Sequence, residues 1–120
     1  MKQNKRTFNA GVKLWIAAAS GAGVFGEGRY RLLTLIDKHG SLKKAAETMN
    51  MSYRKAWGDI RKSEERTGRR LITRTCGGRH GGGSQLTPFA EKLLQAYRSL
   101  KDRTRETAQK EYEKLFCGLL

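Results

Sequence analysis

From Gly28 onward the apolar positions recur at helical spacing. Tyr30, Leu33 and Ile36 fall about one turn apart, and Leu32 and Leu35 widen the stripe. His39-Gly40 ends the segment, so the pattern predicts a first helix over 28–39. Ser41 then stands where an N-cap belongs, with Leu42, Ala45, Ala46 and Met49 at helical spacing behind it. Asn50-Met51 breaks this short second helix. Ser52 offers another cap, and Ala56, Trp57 and Ile60 form the apolar side of a third helix reaching about Gly68, with Trp57 expected in the core. Two short helices joined by a tight turn predict a helix-turn-helix. The small Ala45 and Ala46 would let the two helices cross closely while Leu42 and Met49 reach into the core. The competing reading is a pair of ordinary amphipathic helices.

The flanking segments change the picture. Upstream, "VKLWIA", "SGAG" and "VF" read as strand, turn and return strand, an N-terminal β-hairpin within 11–27. Lys2, Lys5, Arg6 and Lys13 before "LWIAAASGAGVF" also imitate a secretory leader. The apolar core of that stretch is short, two glycines interrupt the residues after it, and no run approaches the ~20 apolar residues of a membrane span. The hairpin is therefore the expectation, with no membrane partner. Downstream, "RRLITRT" and "QLTP" bracket a glycine run, predicting a hairpin with a strand from about Leu71 to Thr75, a loop from Cys76 to Ser84 and a return strand around Gln85-Leu86. Such a hairpin after a third helix is a wing, and 28–87 becomes one helix-turn-helix and wing unit.

Thr87-Pro88 is a strong helix-start signal. Phe89, Leu93, Tyr97, Leu100, Thr104, Ala108, Tyr112, Leu115 and Leu119 then recur at steps of three or four, predicting one long helix over 88–117. About 30 residues at 1.5 Å per residue span roughly 45 Å, more than a domain of this size needs. Its second half is expected to pack on a second copy, giving a homodimer; the alternative is a helix folded back or frayed beyond Leu100. The predicted architecture is mixed α/β, mainly α: a single winged helix-turn-helix domain over 1–120 with a β-hairpin wing and a long C-terminal dimerisation helix.

Charge then selects a partner. The formal net charge is +14 and the isoelectric point about 10.3. Residues 1–87 carry 18 basic and 6 acidic side chains, against 7 and 5 in residues 88–120. The excess lies in the first two thirds of the chain, which favours a polyanion, with nucleic acid first. Enzymatic readings have little to stand on. The glycine run "GGRHGGGS" lacks the lysine that a phosphate-binding P-loop needs, and no βαβ unit surrounds it as a dinucleotide site requires. His39 and His80 offer no triad, and Cys76 and Cys117 show no close spacing that would suggest a zinc site or a disulfide framework. No cofactor, metal or catalytic residue is expected, and reduced thiols fit the cytoplasm. Cys76, beside arginines, is read as an inert small side chain rather than a redox switch.

The third helix supplies the candidate readers. A recognition helix presents its first turns to base edges in the major groove, and Arg54 is the first choice for guanine N7 and O6. Ser52, Tyr53 and Lys55 accompany it, with Arg61 and Lys62 further along. Ser41, Lys43 and Lys44 of the second helix suit the flanking phosphates. The glycines of the wing permit close approach to the minor groove or backbone, with Arg79 and His80 as donors.

Residues 11–100 resemble a known family. "GSLKKAA", "MSYRKAW", "GGRHGGG" and "LT", in this order, look like the N-terminal DNA-binding domain of ModE-type molybdenum-responsive transcriptional regulators, a winged helix-turn-helix related to the LysR class. The resemblance implies a homodimer through the first and last helices, direct readers at Ser52, Tyr53, Arg54 and Lys55, and wing contacts around Arg74, Arg79 and His80. It further implies a sequence-specific regulator of double-stranded DNA, reading a palindromic operator of molybdenum-related genes. No molybdate-binding domain is recognisable, so effector sensing is expected from a separate protein or not at all. Ala90, with Phe89, departs from the glycine frequent in the "LT" context. The alternatives are a nonspecific nucleic-acid binder and a protein-interaction module.

Overall fold

The computed structural model describes residues 7–75 and 83–120. The chain starts with an extended arm, then a hairpin of β1 (Trp15–Ala17) and β2 (Gly23–Gly26), antiparallel with Ile16 opposite Phe25. Its turn closes through the Gly21 amide donating to the Ala18 carbonyl at 2.8 Å. The stretch that imitated a leader is thus a hairpin, and Phe25 delivers its ring to the core.

Three helices come next. Helix α1 (Glu27–His39) buries Leu32, Leu33 and Ile36 and stops at Gly40, whose φ of 66° is left-handed and cheap only for glycine. Helix α2 (Leu42–Thr48) is capped by Ser41, whose Oγ accepts from the Lys44 amide at 3.1 Å. The turn then places Asn50 at φ 54°, a conformation asparagine tolerates better than most residues. Helix α3 (Tyr53–Thr67) is capped by Ser52, which accepts from the Lys55 amide at 3.0 Å. Ala45, Ala46 and Ala56 are all fully buried where α2 and α3 meet, as small residues must be for close crossing.

The wing is β3 (Ile72–Thr75) paired with β4 (Gly83–Leu86), Ile72 opposite Leu86 and Thr75 opposite Gly83. The return strand starts two residues before the expected Gln85. The ladder extends because the Ser84 amide donates to the Gly40 carbonyl at 2.9 Å, anchoring the strand to the end of α1. That approach needs glycine at 83: a Cβ there would stand 3.0 Å from the Gly40 oxygen. Glu64 fastens the other edge, its Oε2 accepting from the Leu71 amide at 2.8 Å.

Helix α4 (Pro88–Leu115) begins at the Thr87 cap, whose Oγ1 accepts from the Ala90 amide at 3.1 Å and donates to the Arg70 carbonyl at 2.7 Å. Only its first part joins the core, through buried Ala90 and Tyr97 with Leu93 and Leu94 beside them. The radius of gyration is 18.8 Å, where a compact chain of this length would have about 14 Å. Among the described residues no helix is long and apolar enough to cross a membrane.

Tyr97 is the joint between hairpin, α1 and α4. Its ring meets Phe25 edge-on at 5.3 Å and Tyr30 at 5.1 Å, and its hydroxyl donates to the Leu14 carbonyl at 2.8 Å. Burial pushes the phenol above its ordinary value of 10.0, and the nearby negative charge of Glu27 adds to the rise. Farther along, the Ala10 amide donates to Gln109 Oε1 at 3.0 Å, so the arm lies against distal α4.

Candidate nucleic-acid interface

Helix α3 has four functional sides, set by its 3.6-residue turn. Ala56, Ile60 and Ser63 face the core, where Ser63 Oγ donates to the Val24 carbonyl at 2.6 Å and holds the N-terminal hairpin. Arg66 donates to the Gly23 carbonyl from the same region. Opposite lie Arg54, Gly58, Arg61 and Glu65, with both arginines exposed. Arg54 occupies the first turn and is exposed.

The remaining two sides separate the other predicted residues. Tyr53 and Trp57 face the wing, and Arg74 of β3 sets its guanidinium 4.8 Å from the Trp57 ring centre and 5.8 Å from that of Tyr53. Trp57, expected in the core, packs against it and also carries this arginine. Lys55 points the other way, towards the N-terminal hairpin, and pairs with Asp59 at 3.1 Å. That pair is surface-exposed and worth little in stability, but it draws Lys55 from the face that Arg54 occupies. Arg61 borders a separate cleft with Glu64, Glu65 and Arg70, and Lys62 is exposed on the distal half of the helix.

Ser41, Lys43, Tyr53 and Arg74 come together around one cleft of about 310 Å³ between α2, α3 and the wing. Lys44 is exposed beside it. Ser41 and Ser52 spend acceptor lone pairs on capping, which leaves each hydroxyl proton free to donate. Of the cations predicted to face the partner, Lys55 alone is in an ion pair among the described residues. Arg79, His80 and Cys76 lie outside the described residues. Sequence reasoning missed the role of Trp57. The i, i+4 spacing of Tyr53 and Trp57 was the available signal, but the position of Arg74 over them is a long-range consequence of wing docking.

Two crossed helices with an exposed basic recognition face, followed by a two-stranded wing docked on their flank, define a winged helix-turn-helix module. Residues 28–91 match the family model described as bacterial regulatory helix-turn-helix protein, lysR family. The chain belongs to that family, and membership assigns the module to regulation rather than to catalysis. Relatives include the transcriptional regulator ModE of Haemophilus influenzae, 42% identical over 80 residues, which are 67% of this chain and 31% of that protein. The molybdenum transport protein ModE of Azotobacter vinelandii is 38% identical over 73 residues, 61% of this chain and 27% of its own. The DNA-binding transcriptional dual regulator ModE of Escherichia coli K12 is 35% identical over 69 residues, 58% and 26% respectively. The chain thus spans roughly a third of the length of these relatives or less.

Proposed function

We propose that the chain is the DNA-binding module of a sequence-specific regulator of double-stranded DNA that acts in the cytoplasm as a homodimer on a palindromic operator of molybdenum-related genes. The observation that carries this reading is the exposed Arg54 and Arg61 side of α3, flanked by Lys43 and Lys44 on α2 and by Arg74 on the wing. Arg54 reads base edges in the major groove, with Ser52 and Tyr53 beside it. Ser41, Lys43, Lys44, Arg61, Lys62 and Arg74 meet the backbone, and Lys55 joins them only by leaving Asp59. Wing-tip contacts from Arg79 and His80 belong to the same reading. The DNA-binding transcriptional dual regulator ModE of Escherichia coli supports DNA as the partner, and the molybdenum transport protein ModE of Azotobacter vinelandii supports a connection to molybdenum.

Dimerisation draws support from distal α4 and the segment that follows it, where Leu100, Leu115 and Leu119 stand exposed. A two-fold dimer would set two copies of α3 into major grooves with half-site centres about 34–36 Å apart. Selection of bound duplexes from a random pool, with and without molybdate at near-physiological salt, tests the whole reading. The expected result is an enriched palindrome with one-turn half-site spacing. Failure to enrich any motif would remove it. A molybdate-dependent change would assign sensing to this chain, and an unchanged motif and affinity would place sensing elsewhere.

A further inference from the structure

The cleft between α2, α3 and the wing is more organised than a generally basic surface requires. Arg74 leaves β3 opposite Ser84, and Ser84 is tied by its amide to the Gly40 carbonyl at the α1–α2 junction. The wing base is therefore fixed relative to α2. Tyr53 and Trp57, one helical turn apart, hold the Arg74 guanidinium by their ring faces. This manner of holding matters chemically: a carboxylate would neutralise the arginine and consume its N–H donors, whereas aromatic faces fix its plane and leave them available. Lys43, Ser41, Tyr53 and Thr75 border the same cleft with an ammonium and three hydroxyls, and among the described residues no carboxylate lines it. The result is a donor-rich concavity with two cations on rigid supports, about 310 Å³ in volume and open to solvent.

We propose that this cleft seats one phosphodiester of the DNA backbone, and that Trp57 is the positioning residue that holds Arg74 for it. The proposal rests on the DNA-binding reading above. A single phosphate held by Lys43 of α2 and Arg74 of the wing, with Tyr53 of α3 beside it, fixes the depth of the recognition helix and the wing together. Register on the duplex then depends on a residue that touches no DNA.

The test uses the full chain and its selected duplex, with each backbone phosphate replaced in turn by a neutral methylphosphonate. The wild-type protein should lose about tenfold in affinity at one phosphate per half-site beside the recognition helix. Arg74→Ala should be insensitive to that replacement while still sensing the others, and its salt dependence should fall by about one unit per seat. Trp57→Leu should copy this phenotype and Trp57→Tyr should restore the wild-type profile, a rescue that a purely space-filling role would not predict. Arg74 is exposed, so its variant reports even where Trp57→Leu loses stability. If Arg74→Ala keeps the wild-type sensitivity at every phosphate, the seat is wrong while the DNA reading stands. If the wild-type protein binds no duplex, both fall.

Discussion

The two halves of α4 follow the same periodic pattern but differ in what covers them. In the proximal half, Ala90 and Tyr97 are buried, with Leu93 and Leu94 packed beside them against α1, the N-terminal hairpin and the wing. In the distal half, Thr104, Ala108 and Tyr112 are half-covered, partly by the arm whose Ala10 amide reaches Gln109, and Leu115 remains 72% exposed. Periodicity records which face is apolar, not which molecule covers it. The apolar positions that the described residues leave exposed at the distal end are what the proposed dimer would cover.

The largest effect expected from this contrast is at Tyr97. Tyr97→Ala removes the ring against Phe25 and Tyr30 and leaves the Leu14 carbonyl without its donor, which should cost roughly 3–5 kcal/mol of unfolding free energy. Denaturant melts would measure it; a loss under about 1 kcal/mol would mean that hairpin and α4 are not one core. Next in size comes the double variant Leu115→Lys with Leu119→Lys. It should leave the far-ultraviolet spectrum unchanged while weakening self-association at least tenfold, about 1.4 kcal/mol, in sedimentation equilibrium. An unaltered association constant would free distal α4 of the role assigned to it.

The smallest effect concerns the Tyr97 hydroxyl alone. Its folded pKa is raised, so the bonded phenol contributes stability that is fully present below pH 10 and is lost as pH rises through the folded value. Tyr97→Phe should cost about 1 kcal/mol near neutral pH, and the gap between the two proteins should narrow above pH 10. A gap that stays constant into the alkaline range would show that burial does not hold this phenol in its neutral form.

Local chemistry explains why so much of the helical framework was legible in the sequence. Ser41, Ser52 and Thr87-Pro88 cap the helices they precede, and Gly40 ends α1 in the left-handed conformation, because each acts within four residues of itself. The long-range ties were not legible. Nothing near Ser63 announces that it holds Val24, or near Glu64 that it accepts from Leu71, and the early start of β4 depends on the distant Gly40 carbonyl. The candidate site divides in the same way. Arg54 could be placed on an exposed side from helical spacing alone, whereas the pairing of Lys55 with Asp59 and the seating of Arg74 on Trp57 emerge only when the elements dock.

The most direct test of the account is a pair of binding titrations, wild-type against Arg54→Ala, on the selected duplex and on a shuffled duplex of the same composition. The account predicts that Arg54→Ala loses about 1–3 kcal/mol on the selected duplex and little on the shuffled one, so that discrimination collapses while general affinity survives. Equal losses on both duplexes would contradict it, reducing the exposed side of α3 to one more patch of positive charge.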